Sequence, residues 1–148
     1  ISRETSYIMT NLMESVVTSG TGQRAKAVGR PVAGKTGTTN DMKDAWFIGY
    51  VPQLVAGVWV GYDQERSLGS GGSGGQAAAP IWTSFMQRAL AGTPVQDFAP
   101  PENVTFALIN PRTGHLARQE SEGSVMECFI SGKEPTAYDD AVKSGSGE

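Results

Sequence analysis

GRPVAGKTGTTN, residues 29–40, fits two unrelated catalytic patterns. Gly29 to Thr36 satisfies G-x-x-x-x-G-K-[ST], the loop with which nucleotide hydrolases cradle phosphates, while Lys35-Thr36-Gly37 is a K-T-G triplet of acyl-transferring serine enzymes. The flanking residues separate the two. A phosphate loop needs a hydrophobic strand ending at its first glycine and a helix opening at the Lys-Thr, whose N-terminal amides hold the phosphates. TGQRAKAV before Gly29 is a poor strand, and Gly37 to Asp41 disfavour the first turns of a helix. Pro31 also removes a donor from the loop. Asp63 ends a hydrophobic run as a magnesium-holding aspartate does, but its strand follows a hairpin and not a crossover. The K-T-G pattern asks instead for an extended edge segment followed by antiparallel strands, and residues 33–39 supply that segment.

Outward from there, DAWFIGYV at 44–51 and LVAGVWVGY at 54–62 are apolar on both alternating faces, and only a short turn joins them. Such strands belong to the middle of a three-layer sandwich and pair as an antiparallel hairpin. Upstream, Ile8, Met9, Leu12, Met13, Val16 and Val17 line one face of a helix over 2–19, with Ser2 as N-cap and Gly20 as the stop. TSGTGQRAKAVGRP is a loop. Downstream, SLGSGGSGG at 67–75 reads as a flexible loop over a surface. Residues 76–91 carry a second helical stripe of Ile81, Trp82, Phe85, Met86, Ala89 and Leu90, with Pro80 in the first turn and Gly92 at the end. Beyond a proline-rich connection, 104–109, 114–119 and 125–130 read as short strands, with a turn at Asn110–Gly114. KSGSGE at the end reads as disordered.

The chain has 148 residues, 39% of them hydrophobic, enough to enclose a core. Its formal charge of −3 and the absence of Lys/Arg runs interleaved with aromatics make no case for nucleic acid. Charge is uneven: residues 1–62 hold six Lys/Arg against four Asp/Glu, and 63–148 hold six against eleven, so the halves are about +2 and −5. The basic half either suits an anionic small substrate or is an unevenly solvated surface. Cys128 is the single cysteine, which precludes an intrachain disulfide and reads as a packed apolar residue. No segment is long and apolar enough to span a bilayer.

The K-T-G residues have a physical rationale position by position. An ammonium at Lys35 attracts a substrate carboxylate and lowers the cost of deprotonating a neighbouring hydroxyl. Gly37 admits another backbone without a Cβ in the way. Thr36 and Thr38 offer hydroxyls, the free groups of an edge strand bind an extended peptide, and the Thr38 N–H is placed as an oxyanion donor. The run from AGKTGTTND through DAWFIGYVP to LVAGVWVGYD closely resembles the end of the transpeptidase domain of class A, bifunctional penicillin-binding proteins. GTGQRAKAVGRP and AAAPIWTSFMQRAL look like the same family, so the resemblance covers about residues 3–92 and extends more loosely to 138.

That resemblance implies an α/β (α+β) three-layer fold of the penicillin-binding/β-lactamase type, of which this chain holds only the C-terminal strands and helices plus a small β appendage. It implies a serine D,D-transpeptidase that joins peptidoglycan stem peptides ending in D-Ala-D-Ala and is acylated by β-lactams. Lys35 and Thr38 are then the catalytic residues here, and Thr36, Gly37, Thr38 and Thr39 bind substrate. No cofactor and no metal is expected. The family's nucleophile lies in S-x-x-K and a second serine in S-x-N, and neither pattern occurs in this chain. The expectation is therefore a C-terminal portion whose partner is the upstream part of the same protein, inactive and poorly stable by itself. Residues 1–99 form the end of the transpeptidase domain and 100–148 a β-rich extension with a flexible tail. The resemblance also implies a glycosyltransferase domain and a membrane anchor upstream, and a place on the periplasmic face of the inner membrane. Alternatives are a D,D-carboxypeptidase or β-lactamase-type hydrolase, or a non-catalytic peptide-binding fragment.

Other residues have plainer readings. His115 is a turn histidine, and one His with one Cys supports no metal site. Trp46, Trp59 and Trp82 fall in the apolar patterns and read as core. Arg24, Lys26 and Arg30 are solvated loop charges, Asp44, Thr39 and Asn40 shape the turn after the K-T-G segment, and Asp139-Asp140 is solvated tail.

Overall fold

The structure, a computed structural model, describes residues 1–118 and 123–139. Contacts divide the chain into two compact units, Met9–Ala99 and a second made of Ile1–Ile8 with Pro100 onward. Helix α1, Arg3–Thr18, runs through the boundary. Ser2 opens it, its hydroxyl accepting the Thr5 N–H at 3.2 Å. In the larger unit Thr10 and Val17 are buried, while Met9 and Leu12 stay exposed, so only part of the apolar stripe is covered.

A 3₁₀ turn at Gln23–Val28 ends on the left-handed Gly29 and leads to strand β1, Ala33–Thr38. Lys35 and Thr36 lie inside that strand, so no helix opens at them and no phosphate loop forms. β1 pairs antiparallel with β2, Ala45–Val51, which pairs antiparallel with β3, Leu54–Val60. The order β1-β2-β3 leaves β1 and β3 as the edges among the described residues.

Helix α2, Ala79–Ala89, packs on one face of this sheet. Trp82, Met86 and Leu90 are buried against Ala45, Phe47 and Val51, and the Phe47 and Trp82 rings meet edge to face at 5.0 Å. Burying Phe47 or Met86 contributes about 1.5–3 kcal/mol each. The Trp82 indole N–H is not stranded in this core, since it donates to the Ala56 carbonyl at 2.9 Å. Along α2 the expected stripe splits: Ile81, Phe85 and Ala89 are exposed, and Ala79 and Thr83 take their place in the buried face. Residues 81 and 82 lie about 100° apart around a helix, and the sheet touches only the second set.

The opposite sheet face is open. Trp46, Ile48, Val55 and Trp59 are 43%, 50%, 66% and 46% exposed. Trp46 and Trp59 are corrected from core to this open face; Trp82 alone of the three is core. Alternation places their side chains opposite Phe47 and Ala45; at the Tyr50 end of the same face the Thr10 hydroxyl of α1 meets the Tyr50 hydroxyl at 2.8 Å and the Phe98 ring stands edge to face on Tyr50, centroids 5.6 Å apart. Trp46 and Trp59 lean on each other instead, with ring centroids 6.4 Å apart.

Two loops also depart from the sequence reading. Gly72 and Gly74 are buried, and Gly74–Ala78 forms one turn of π-helix that runs straight into α2, so the second half of the glycine tract is packed structure and not a surface loop. Arg30 is no solvated charge: its guanidinium donates to the carbonyls of Leu90 at 3.2 Å and Thr93 at 3.4 Å and to the Thr93 hydroxyl at 3.1 Å. A cation at a helix C-terminus satisfies carbonyls that the helix leaves unpaired.

In the second unit β4, Val104–Ile109, pairs antiparallel with β5, Val125–Ile130, on which Cys128 is buried. The segment expected as a strand at 114–119 makes only single bridges, from Leu116 to Ile109 and to Tyr138, through its described part. Asn110–Gly114 is a turn, in which the Arg112 N–H donates to Asn110 Oδ1 at 2.9 Å and Gly114 has a φ of 73°. Asp139 is corrected from solvated tail: its carboxylate accepts from the Thr113 hydroxyl at 2.6 Å and from the Asn110 amide. These two donors hold its carboxyl below the usual aspartate range. Asp140 and KSGSGE lie outside the described residues.

Candidate active-site strand

β1 is an edge strand, and its alternation sorts the K-T-G residues onto two faces. Lys35 and Gly37 oppose Ile48 and Trp46, on the open face; Thr36 and Thr38 oppose Phe47 and Ala45, on the α2 face. The Lys35 side chain is exposed, and its ammonium donates to the Thr36 carbonyl at 2.9 Å. In the same register the Thr39 N–H donates to the Asp44 carbonyl at 3.1 Å. Ladder bonds alternate along an antiparallel pair, so the N–H and C=O groups of Thr36 and Thr38 point away from β2, off the free edge.

The threonine hydroxyls have partners. Thr36 Oγ1 lies 2.7 Å from Thr21 Oγ1, and Thr38 Oγ1 accepts the Gly74 N–H at 3.1 Å. Thr39 Oγ1 accepts the Asp44 N–H at 2.8 Å and donates to the Asp44 carboxylate, which also accepts the Trp59 indole N–H at 2.8 Å. Thr39 is thus tied into the turn after β1, with Asp44 as the residue that fixes it. That turn carries left-handed Asp41 and Met42, with φ of 63° and 51°, and is held from outside by the Lys43–Glu65 ion pair at 2.9 Å and by the Leu68 N–H on the Met42 carbonyl at 2.8 Å. Glu65 holds the Lys43 ammonium above its ordinary pKa.

Lys35, Thr36, Gly37, Thr38 and Thr39 therefore share one edge, whereas Arg24 and Lys26 stay exposed on the 3₁₀ turn and His115 belongs to the second unit, 3.6 Å from Asp139. Among the described residues no group of three or more His, Cys, Asp or Glu could hold a metal ion. Thr21, Gly74 and Gly75 touch the strand without having been singled out in the sequence. Their only signal was the doubled glycine of GSGGSGG just before a helix, which composition alone reads as a linker. Chemically, the edge offers a cation over an apolar face, backbone N–H groups of Thr36 and Thr38 directed off the sheet, and close access at Gly37.

Residues 1–87 match the family model described as penicillin binding protein transpeptidase domain. The chain belongs to the penicillin-binding protein transpeptidase family. Residues 100–144 match the model described as penicillin-binding protein 1A, C-terminal domain. The chain is 47% identical to penicillin-binding protein 1A of Aquifex aeolicus over 84% of its own length, and 42% identical to that of Pseudomonas aeruginosa over 95%. It spans 17% of the length of each of these relatives. The crystal structure of penicillin-binding protein 1A from Haemophilus influenzae superposes with a TM-score of 0.84 at 32% identity, covering 95% of this chain and 22% of that one. The fold is accordingly that of the C-terminal part of a class A penicillin-binding transpeptidase, with antiparallel strands and helices. Among the described residues no helix is long and apolar enough to cross a membrane.

Proposed function

We propose that this chain supplies the substrate-binding edge of a peptidoglycan D,D-transpeptidase and that the nucleophilic serine comes from an upstream part of a longer polypeptide. The observation that carries the proposal is the placement of Lys35 on an uncovered sheet face beside a strand edge whose Thr36 and Thr38 amides are free, in a chain of this family. A stem peptide ending in D-Ala-D-Ala lies along that edge as an added strand, paired with the outward backbone of Thr36 and Thr38, its terminal carboxylate drawn by the Lys35 ammonium. The serine hydroxyl attacks the penultimate carbonyl and its proton passes to a base. The oxyanion formed accepts the Thr38 N–H, the C–N bond breaks, and D-alanine leaves with a proton. An amine from a second stem peptide then attacks the serine ester and releases the serine. Gly37 keeps the approach open, and Thr39 holds the end of the strand through Asp44.

Residues 1–99 end the transpeptidase domain and 100–148 extend it. The upstream part covers the Trp46–Ile48–Val55–Trp59 face, and it brings the glycan-polymerising domain and the anchor that place the protein on the periplasmic side of the inner membrane. β-Lactams acylate the same serine.

The test is intact-mass analysis after incubation with a labelled penicillin, for this chain alone and with the upstream polypeptide. The adduct is expected on the upstream polypeptide only and is lost with Lys35→Ala. An adduct on the isolated chain, or labelling indifferent to Lys35→Ala, overturns the proposal.

A further inference from the structure

The glycine tract before α2 does more than connect. Gly37 and Trp46 are paired, and both project toward the open face, so on the α2 side this rung of the ladder is bare peptide. Gly74 lies against that bare rung. A Cβ built on it would overlap the Trp46 carbonyl oxygen and come within 2.7 Å of Gly37 O and 3.1 Å of Gly37 N. All of these are backbone atoms, so a side chain there has no flexible neighbour to push aside. A Cβ on Gly75 would likewise overlap the Thr21 carbonyl oxygen, whose own hydroxyl bonds Thr36. The Gly74 N–H reaches the next residue of the strand, donating to Thr38 Oγ1 at 3.1 Å.

The same segment grips the turn after β1 as well. Leu68 donates its N–H to the Met42 carbonyl, Glu65 pairs with Lys43, and a Cβ on Gly72 would stand 3.3 Å from the Met42 Cβ. By contrast a Cβ on Gly71 would meet nothing within 4 Å. The wide turn that begins at Gly74 is π-helical, a geometry that concentrates at functional sites, and it sets the Gly74–Gly75 backbone against β1 before α2 begins.

We propose that Gly74 and Gly75, with Thr21, are positioning residues for the transpeptidase edge: their backbone braces Gly37 and Thr38 from the α2 side and fixes where the Thr38 N–H points. This rests on the function proposed above. They touch neither substrate nor serine; they act through Thr38, and an oxyanion donor displaced by about 1 Å costs on the order of a hundredfold in rate.

The experiment uses the protein with its upstream part, and resolves acylation by benzylpenicillin into a binding constant and a first-order acylation rate. Gly74→Ala is expected to slow the acylation rate at least about tenfold with the binding constant within about twofold. Gly71→Ala keeps the parent rate. Thr38→Val, which removes the acceptor of the Gly74 N–H, is slowed. The double variant Gly74→Ala with Thr38→Val is no slower than its slower parent. Should Gly74→Ala fail to fold by circular dichroism, Thr21→Val, which removes the hydroxyl that meets Thr36 Oγ1, decides: a parent acylation rate overturns the inference. A folded Gly74→Ala protein with the parent rate, or single effects that multiply, also overturns it. Loss of labelling in Lys35→Ala together with a normal Gly74→Ala rejects the brace alone. Normal labelling in Lys35→Ala, or a parent protein that is not acylated, rejects the proposed function and the brace together.

Discussion

At the scale of single residues, the chemistry of this chain depends on which way each side chain leaves β1. Lys35 and Gly37 face the open side, and Thr36 and Thr38 are drawn to the α2 side by partners. If Lys35 has the role proposed above, Lys35→Met is expected to lower penicillin acylation by at least about a hundredfold, measured on the protein with its upstream part, while its melting temperature holds. Glu14 is a second residue with a clear sign. Burial raises its carboxyl pKa, and the Asp97 charge adds to the effect. A raised folded-state pKa means that this group favours the fold when protonated, below its unfolded value, and the benefit disappears as pH rises through the folded value. Glu14→Gln is then expected to raise the denaturation midpoint at neutral pH and to narrow the difference as pH falls toward 4. A lower midpoint for the variant at neutral pH contradicts this assignment.

At the scale of elements, two contacts hold pieces that propensity alone would leave loose. Arg30 reaches back to the Leu90 carbonyl that caps α2 and on to the Thr93 carbonyl beyond it, and α2 has no acidic residue in its first turn to set against the helix dipole. Arg30→Ala is expected to cost about 1–2 kcal/mol in chemical denaturation, less than a core truncation and more than a surface charge. In the second unit Asp139 staples the Asn110–Gly114 turn. Its folded pKa is lowered, so its contribution is present above the unfolded value, about 3.9, and is lost as pH falls through the folded value. Asp139→Asn is expected to make amide exchange at the turn faster at neutral pH and indifferent to acid below that window. Unchanged exchange at Thr113 and Gly114 would show that the staple is not needed.

At the scale of the molecule, one sheet has one covered face. Phe47, Trp82 and Met86 are completely buried beneath α2, and Trp82→Ala is expected to cost about 3–5 kcal/mol. The other face presents Trp46, Ile48, Val55 and Trp59 together, and among the described residues β1 and β3 are the edge strands of the sheet. Contiguous apolar surface of this kind marks a place where something else packs. The isolated chain is expected to bind a hydrophobic dye and to self-associate, and co-expression with the upstream polypeptide is expected to abolish both. A monomeric, dye-silent isolated chain would rule out the proposed covering of this face.

Much of this was legible in the residues themselves. Apolar runs at 44–51 and 54–62, a short turn between them and a helical stripe over 76–91 pointed to the hairpin and the helix, because local pattern and turn chemistry need no distant partner. Lys35 to Thr39 could be placed on an extended edge for the same reason. Burial could not be read that way. Trp46, Trp59 and Trp82 look alike in sequence, yet only Trp82 is covered, since cover depends on which layer lies opposite and not on the strand pattern. Arg30 and Asp139 looked like solvent-facing charge until residues 60 and 29 positions away supplied their partners. Gly74 shows the same limit most clearly. A glycine beside a linker-like tract carries no local signal of its purpose, and only the tertiary structure, by bringing its backbone onto Gly37, decides that no other residue fits there.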